Sequence, residues 1–403
     1  MTIQGKSFLR ILTVLVLLWL AGAALRLTIL AVPPVMPLIH DDLHLSETQV
    51  GILASLPPVL FALAAIPGSF LIARFGPVAV LVAGLLICAA ASALRGVAPH
   101  LLGLYAATFA MAFGVAIMQP SLPPTVRQWL PDRIGLGTGV YTNGLIFGEI
   151  FPVALTLPLV LPVVDESWRA ALAFWSVPVF VIALLVVTFG PRRPGPTQSS
   201  VARLGWPDWK DPLVWRVGLL LGCANSVYFA ANGFLADYLT SLKRADLIGA
   251  ALTSLNVAQL PASFLVLAFN RRMEGKAWPY LIAGAFTLLG VFVVALGSGE
   301  WVVVGAGMLG FAAAFILILA LALPALLSKP EDVHRVSAGM FAISYSMAVV
   351  VPIASGMLWD GTGTAGLVLV PLSLCGLGIV LLGATLPNLH SRTREAEAST
   401  PRA

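Results

Sequence analysis

Apolar runs of about 20 residues recur from one end of the chain to the other, and this repetition constrains the fold more than any other feature. Each run can cross roughly 30 Å of hydrocarbon only as a helix. In lipid the backbone N–H and C=O groups find no water and must be satisfied within the segment. Composition agrees: of 403 residues, 59% are hydrophobic and 10% charged, against about 25% charged in a soluble domain. The chain therefore reads as an all-α integral membrane protein. Twelve spans are expected, at 11–38, 46–72, 77–95, 101–127, 134–162, 168–190, 213–241, 247–270, 277–297, 300–328, 335–359 and 364–387. The first is too long for a cleaved signal peptide, and no small-residue cleavage site precedes the acidic loop at Asp41 and Asp42, so it is expected to remain a span.

The net charge of +5 raises nucleic acid or anionic lipid as partners, and the positions of the basic residues decide between them. If twelve spans alternate, 18 Lys and Arg residues, from Lys6 and Arg10 to Arg402, fall on one side, while Arg95, Arg169, Lys243 and Arg244 fall on the other. The positive-inside rule then makes both termini cytoplasmic in a multi-pass protein of the cell inner membrane, whose partner is the bilayer and not nucleic acid. Cys88, Cys223 and Cys375 lie inside spans without CxxC or metal-ligand spacing and read as small apolar filler, so neither a metal nor a cofactor is expected.

Between the sixth and seventh spans, residues 190–211 change to GPRRPGPTQSSVARLGWPDWKD, rich in Pro, Gly, Ser and charge, which cannot bury itself in lipid. The expected organisation is a six-helix bundle over 1–190, a cytoplasmic linker over 191–212, a second bundle over 213–387 and a cytoplasmic tail over 388–403. The halves echo one another. PGSFLI at 67–72 matches PASFLV at 261–266, and Pro124 with Pro324, Gly139 with Gly339 and Pro152 with Pro352 recur at an offset of 200. The glycines open the fifth span of each half, and the last proline pair is expected to close it. A parallel repeat of this kind belongs to transporters that bind at the bilayer midplane.

Six plus six spans, cytoplasmic termini, a polar linker and basic loops after spans two and eight resemble the major facilitator superfamily over essentially the whole chain. Arg26 followed by Pro33 and Pro37, AIMQPSLPPTVRQW at 116–129 and GLGTGVYTNGLIFG at 135–148 are similar to its cyanate permease and nitroimidazole transporter branch. The superfamily's loop signature after span two keeps Arg74 and Gly76 but has Ala73 and Pro77 where acidic and basic residues usually stand. The resemblance implies a secondary transporter acting as a monomer on a small-molecule substrate.

Arg26 is the anomaly in the first span: no other Lys, Arg, Asp or Glu lies between Arg10 and Asp41. A charge at the centre of a span costs about 2.5–3.5 kcal/mol on insertion scales and normally faces a bundle interior or a water-filled cavity. Snorkelling is excluded by distance, since about 15 residues, roughly 20 Å, separate it from each end of the span. It is either the structural partner of Glu149, the one carboxylate deep in a span, or a guanidinium offered bidentately to an anionic or electron-rich substrate. In a mixed reading Glu149 pairs with Arg26 until substrate or a proton displaces it, which makes Glu149 the candidate for proton coupling.

Polar residues at helical spacing suggest the remaining site: Asn225, Tyr228 and Asn232 in span seven, and Asn256, Gln259 and Ser263 in span eight. Each stripe fits a water-lined face or interhelical hydrogen bonding equally. Tyr141, Thr142 and Asn143 on span five, Gln119 on span four, and Ser344 and Tyr345 on span eleven complete the candidates. Pro33, Pro34 and Pro37, Pro57 and Pro58, and Pro120, Pro123 and Pro124 are expected to disturb spans one, two and four. Gly135, Gly137, Gly139, Gly144 and Gly148 are expected to let helices approach closely.

The expected function is secondary transport of a small anionic or electron-rich solute by alternating access. Efflux of neutral nitro-aromatic or drug-like compounds is the alternative, suited by Tyr228, Phe229 and Tyr345. No GxxxxGK[ST] run points to ATP, and no intramembrane HExxH, paired aspartates or Ser-His set points to an enzyme. The 22-residue linker is too short for the soluble domain a signalling protein would need.

Overall fold

A computed structural model describes residues 3–63, 65–191, 207–273, 276–297, 299–328 and 333–386, so the greater part of the expected linker, 192–206, and the tail from 387 lie outside the described residues. Every regular element among the described residues is helical. The first half comprises α1 (Ile3–Leu27), α2 (Met36–Leu43), α3 (Glu47–Leu63), α4 (Ala65–Phe75), α5 (Pro77–Arg95), α6 (Leu101–Met118), α7 (Leu122–Trp129), α8 (Ile134–Leu155), α9 (Leu161–Val163) and α10 (Trp168–Phe189). The second comprises α11 (Pro212–Ser241), α12 (Ile248–Val257), α13 (Gln259–Met273), α14 (Trp278–Leu296), α15 (Trp301–Leu327), α16 (Val333–Thr362) and α17 (Val370–Ala384).

Among the described residues, eleven helical stretches are long and apolar enough to cross a membrane. The expected span at 46–72 is occupied instead by two shorter helices, α3 and α4. Several starts follow from chemistry at the first turn. Pro77, Pro212 and Pro279 sit where an N–H would have no helical partner. Ser167 Oγ accepts the Ala170 N–H at 3.3 Å to cap α10, and Asp211 accepts that of Leu213 at 2.8 Å on α11. Gly76 enters α5 at φ +83°, a conformation that a side chain resists even though a Cβ there would meet nothing within 4 Å.

The prolines act unequally. In span one α1 stops at Leu27, a turn follows, and a 3-10 turn at Pro33–Val35 leads into α2. Span four breaks likewise through a 3-10 turn at Gln119–Ser121. Pro57 and Pro58, by contrast, lie inside a continuous α3. Pro152 and Pro352 do not close their spans: they lie inside α8 and α16, and α8 is followed by a π-helical turn, Thr156–Val160.

The chain forms two compact units. The first gathers described residues of Met1–Ser46, Leu56–Arg203 and Leu242–Thr253; the second those of Glu47–Ser55, Leu204–Ser241 and Ser254–Ala403. In the first, α1 packs on α8, and α5 on both α6 and α10. Helix α10 turns Phe174, Val177, Phe180, Leu184 and Val187 outward at intervals of three or four residues, the stripe expected of a lipid-facing surface. In the second, α11 packs on α16, and α14 on α15 and α17. Its α3 segment is capped by Asp360 of α16, which accepts the N–H groups of Glu47 and Thr48 at 2.8 Å each. There Gly51 lies on the Pro352 carbonyl and Gly356 on that of Glu47.

Candidate functional site

In the first unit α1 presents Trp19, Gly22, Ala23 and Arg26 at i, i+3, i+4 and i+7, one face of the helix. That face lies on α8 with the backbones almost touching. A Cβ on Gly144 would overlap the Trp19 carbonyl, one on Gly148 the Ala23 carbonyl, and one on Gly22 the Tyr141 carbonyl. Trp19 faces Gly144 and Ala23 faces Gly148, so the two helices run parallel with no change of register. Gly139 does not take the packing role expected of it, since nothing lies within 4 Å of where its Cβ would be, and Gly137 meets the Val126 side chain at 2.6 Å.

This proximity brings Arg26 to Glu149. Arg26 Nε donates to Glu149 Oε1 at 3.0 Å, with the two side chains 13% and 5% exposed. Nη1 donates to the Leu25 carbonyl at 3.4 Å, and the guanidinium carbon lies 5.4 Å from the centroid of the Phe61 ring. The carboxylate and the ring face desolvate the cation on favourable terms. Of the two, Arg26 keeps the more exposed surface.

Further along the same contact, Asn143 Oδ1 accepts from Trp19 Nε1 at 2.9 Å. The indole packs on Phe147 at 5.7 Å and Phe151 at 6.3 Å between ring centroids. Asn143 is exposed and Tyr141 half-buried. Gln119 sits in the 3-10 turn of span four, its Oε1 buried without a hydrogen-bond partner among the described residues. An amide oxygen left in that state can accept from a bound ligand.

The second unit gathers most of its candidates into one network. Asn256 Oδ1 accepts from Tyr228 Oη at 3.0 Å and from Gln259 Nε2 at 3.4 Å, and Asn256 Nδ2 donates to Asn232 Oδ1 at 3.0 Å. Asn232 Nδ2 donates to the Tyr228 carbonyl at 3.0 Å, one turn back. Asn256 is fully buried, Asn232 and Gln259 nearly so, and Tyr228 half-buried. Asn225 donates separately to Ser344 Oγ of α16 at 2.8 Å, while half-buried Tyr345 stacks on Phe341 at 6.1 Å. The stripes of spans seven and eight thus face each other, with Asn256 at the centre.

Two contributors escaped the sequence reading, Trp19 and Phe61. Aromatic residues in an apolar run carry no mark of their own, although Trp19 lies seven residues, two helical turns, before Arg26.

A multi-pass helical chain that buries a charge pair and an amide network inside its spans has the make-up of a membrane solute transporter. A family model described as the Major Facilitator Superfamily matches residues 18–244, and the chain belongs to that superfamily. It is similar to the 2-nitroimidazole transporter of Escherichia coli (strain K12), 25% identical over 391 residues covering 95% of this chain and 96% of that one. It is also similar to the cyanate transport protein CynX of the same organism, 24% identical over 373 residues covering 91% and 95%. These relatives agree with the sequence motifs' resemblance to the cyanate permease and nitroimidazole transporter branch. They are transporters and not enzymes. The crystal structure of a D-xylose-proton symporter shares the fold at a TM-score of 0.75 and 14% identity, covering 94% of this chain and 98% of that one.

Proposed function

We propose that the protein is a secondary transporter of a small anionic or electron-rich solute, with Arg26 as the solute's counter-charge. The observation that carries this is the Arg26–Glu149 pair between spans one and five, largely buried, with the arginine the less buried partner. A carboxylate, cyanate or nitrate group is a stronger acceptor than lipid or aromatic carbon and competes with Glu149 for the same donors. When it wins, a proton neutralises the carboxyl that has lost its partner, because a lone buried carboxylate is costly. Anion binding and proton uptake are thereby linked. That relatives carry cyanate and 2-nitroimidazole supports a compact, electron-rich solute.

In this reading α3 and α4 together make the twelfth span, and the bundles 1–190 and 213–387 alternate access as a monomer in the inner membrane with both termini cytoplasmic. Asn143, Tyr141 and Gln119 line the solute's path in the first unit, and Asn225, Tyr228, Asn232, Asn256, Gln259 and Tyr345 in the second. The 2-nitroimidazole relative and the aromatic pairs Tyr228 with Phe229 and Phe341 with Tyr345 support a second reading, efflux of neutral nitro-aromatics.

Uptake into proteoliposomes of labelled cyanate, nitrate, short carboxylates and neutral nitro-aromatics, with and without an inward proton gradient, tests both. Saturable anion uptake that is abolished in Arg26→Ala is the expected result. Transport of neutral rings alone, insensitive to that substitution, overturns the anion reading in favour of efflux.

A further inference from the structure

Arg95 closes α5, where its place at a span end reads as an ordinary interfacial charge, yet it is 0% exposed. Its Nη2 donates to the Thr28 carbonyl at 2.8 Å and to Ser92 Oγ at 2.7 Å, while Nε and Nη1 are buried without a partner among the described residues. Packing does not call for such a group, since a leucine would fill the space without desolvating a charge. Its purpose lies at the far end of the bond to Thr28.

Pro33 and Pro34 have no N–H, so the helix of span one cannot continue in α-register through them. The Val32 N–H turns to the Ile29 carbonyl at 3.4 Å, which leaves the Thr28 carbonyl without its α-helical donor. At membrane depth protein must meet that acceptor, and Arg95 does. The same break begins at Arg26, whose own carbonyl takes the N–H groups of both Ile29 and Leu30, at 3.0 and 2.9 Å. Thr28 Oγ1 lies 3.3 Å from Cys88 Sγ, so α5 touches this turn twice. The far end of the segment is also tied, because Asp42 accepts from Arg169 Nη1 at 2.6 Å and from Trp168 Nε1 at 3.3 Å.

We propose that Arg95 is a positioning residue: its bond to the Thr28 carbonyl fixes the break in span one and so aims Arg26, two residues earlier. The consequence for transport rests on the reading of Arg26 as the solute's counter-charge; the consequence for the break does not.

The test uses two measurements on Arg95→Met and Arg95→Lys in the full chain. One is maleimide labelling of a cysteine introduced by Leu30→Cys, located by peptide mapping, since Leu30 is 2% exposed and the native cysteines are buried. The other is the KM and maximal rate of anion uptake in proteoliposomes. Arg95→Met is expected to raise labelling at position 30 several-fold and to raise KM about tenfold, the scale of one lost hydrogen bond to a charged donor. Arg95→Lys, which keeps the charge and a single donor, is expected to fall between Arg95→Met and the wild type in both. A merely structural role would lower the maximal rate and leave KM alone. Wild-type labelling overturns the proposal, and in Arg95→Lys it does so even if the methionine variant cannot be purified. Raised labelling with a wild-type KM also overturns it, because the break would then move without moving Arg26. Wild-type anion uptake in Arg26→Ala overturns the reading of Arg26 as counter-charge instead and leaves the labelling result standing.

Discussion

At the scale of the residue, the Arg26–Glu149 pair combines two roles that substitutions can separate. Breaking a buried pair by removing one partner strands the other charge, at about 3–5 kcal/mol. Glu149→Leu is therefore expected to lower the unfolding temperature of the purified protein, whereas Arg26→Met with Glu149→Leu is expected to recover most of that loss while remaining inactive. If the double variant is as unstable as the single one, the charges are not coupled as their 3.0 Å separation implies. Arg26→Lys keeps charge but not the planar fork, and is expected to reduce anion uptake on the order of tenfold or more; unchanged uptake would rule out bidentate recognition. Both residues were evident from sequence, because a lone charge in an apolar run has no local explanation. Arg95 was not. A basic residue at a span end has the ordinary explanation of an interface, and only the course of the backbone after Arg26 shows which carbonyl it serves.

At the scale of the element, the closeness of α1 to α8 rests on particular glycines rather than on glycine content. Gly144→Leu and Gly148→Leu each drive a side chain into a facing carbonyl, so little folded protein is expected in the membrane, whereas Gly139→Leu meets open space and is expected to be tolerated. Detergent-solubilised yield by size exclusion reads the difference; equal yields would remove the close approach as the reason Arg26 reaches Glu149. Periodicity gave no means of telling Gly139 from Gly144, because it identifies a face without identifying the neighbour across it. The prolines pose the same difficulty. Pro33 and Pro34 stand where span one breaks and Pro57 and Pro58 lie inside an intact α3, a distinction the residue type alone does not make. Asn256 is the element-scale counterpart in the second unit. Asn256→Leu deprives Tyr228, Asn232 and Gln259 of a partner at once and is expected to cost about 1–2 kcal/mol of stability, measured by thermal unfolding of the purified protein.

At the scale of the whole molecule, membrane class could be read from the recurrence of apolar runs, an average over many residues, and the superfamily from its resemblance in span count, linker and basic loops. Coupling cannot be averaged in this way; it depends on whether one carboxyl changes protonation as the solute enters. The proposed exchange of partners at Arg26 makes concentrative uptake depend on a proton gradient, with a protonophore collapsing accumulation but not exchange. Glu149→Gln supplies the decisive comparison. The amide keeps an oxygen able to accept from Arg26 Nε but carries neither the charge nor the proton. Solute counterflow is therefore expected to persist in this variant, while accumulation driven by acid outside is lost. Were accumulation to survive, the coupling proton would have to reside on a group other than Glu149, and the pair would be left as the means by which the protein keeps an arginine at the middle of its first span.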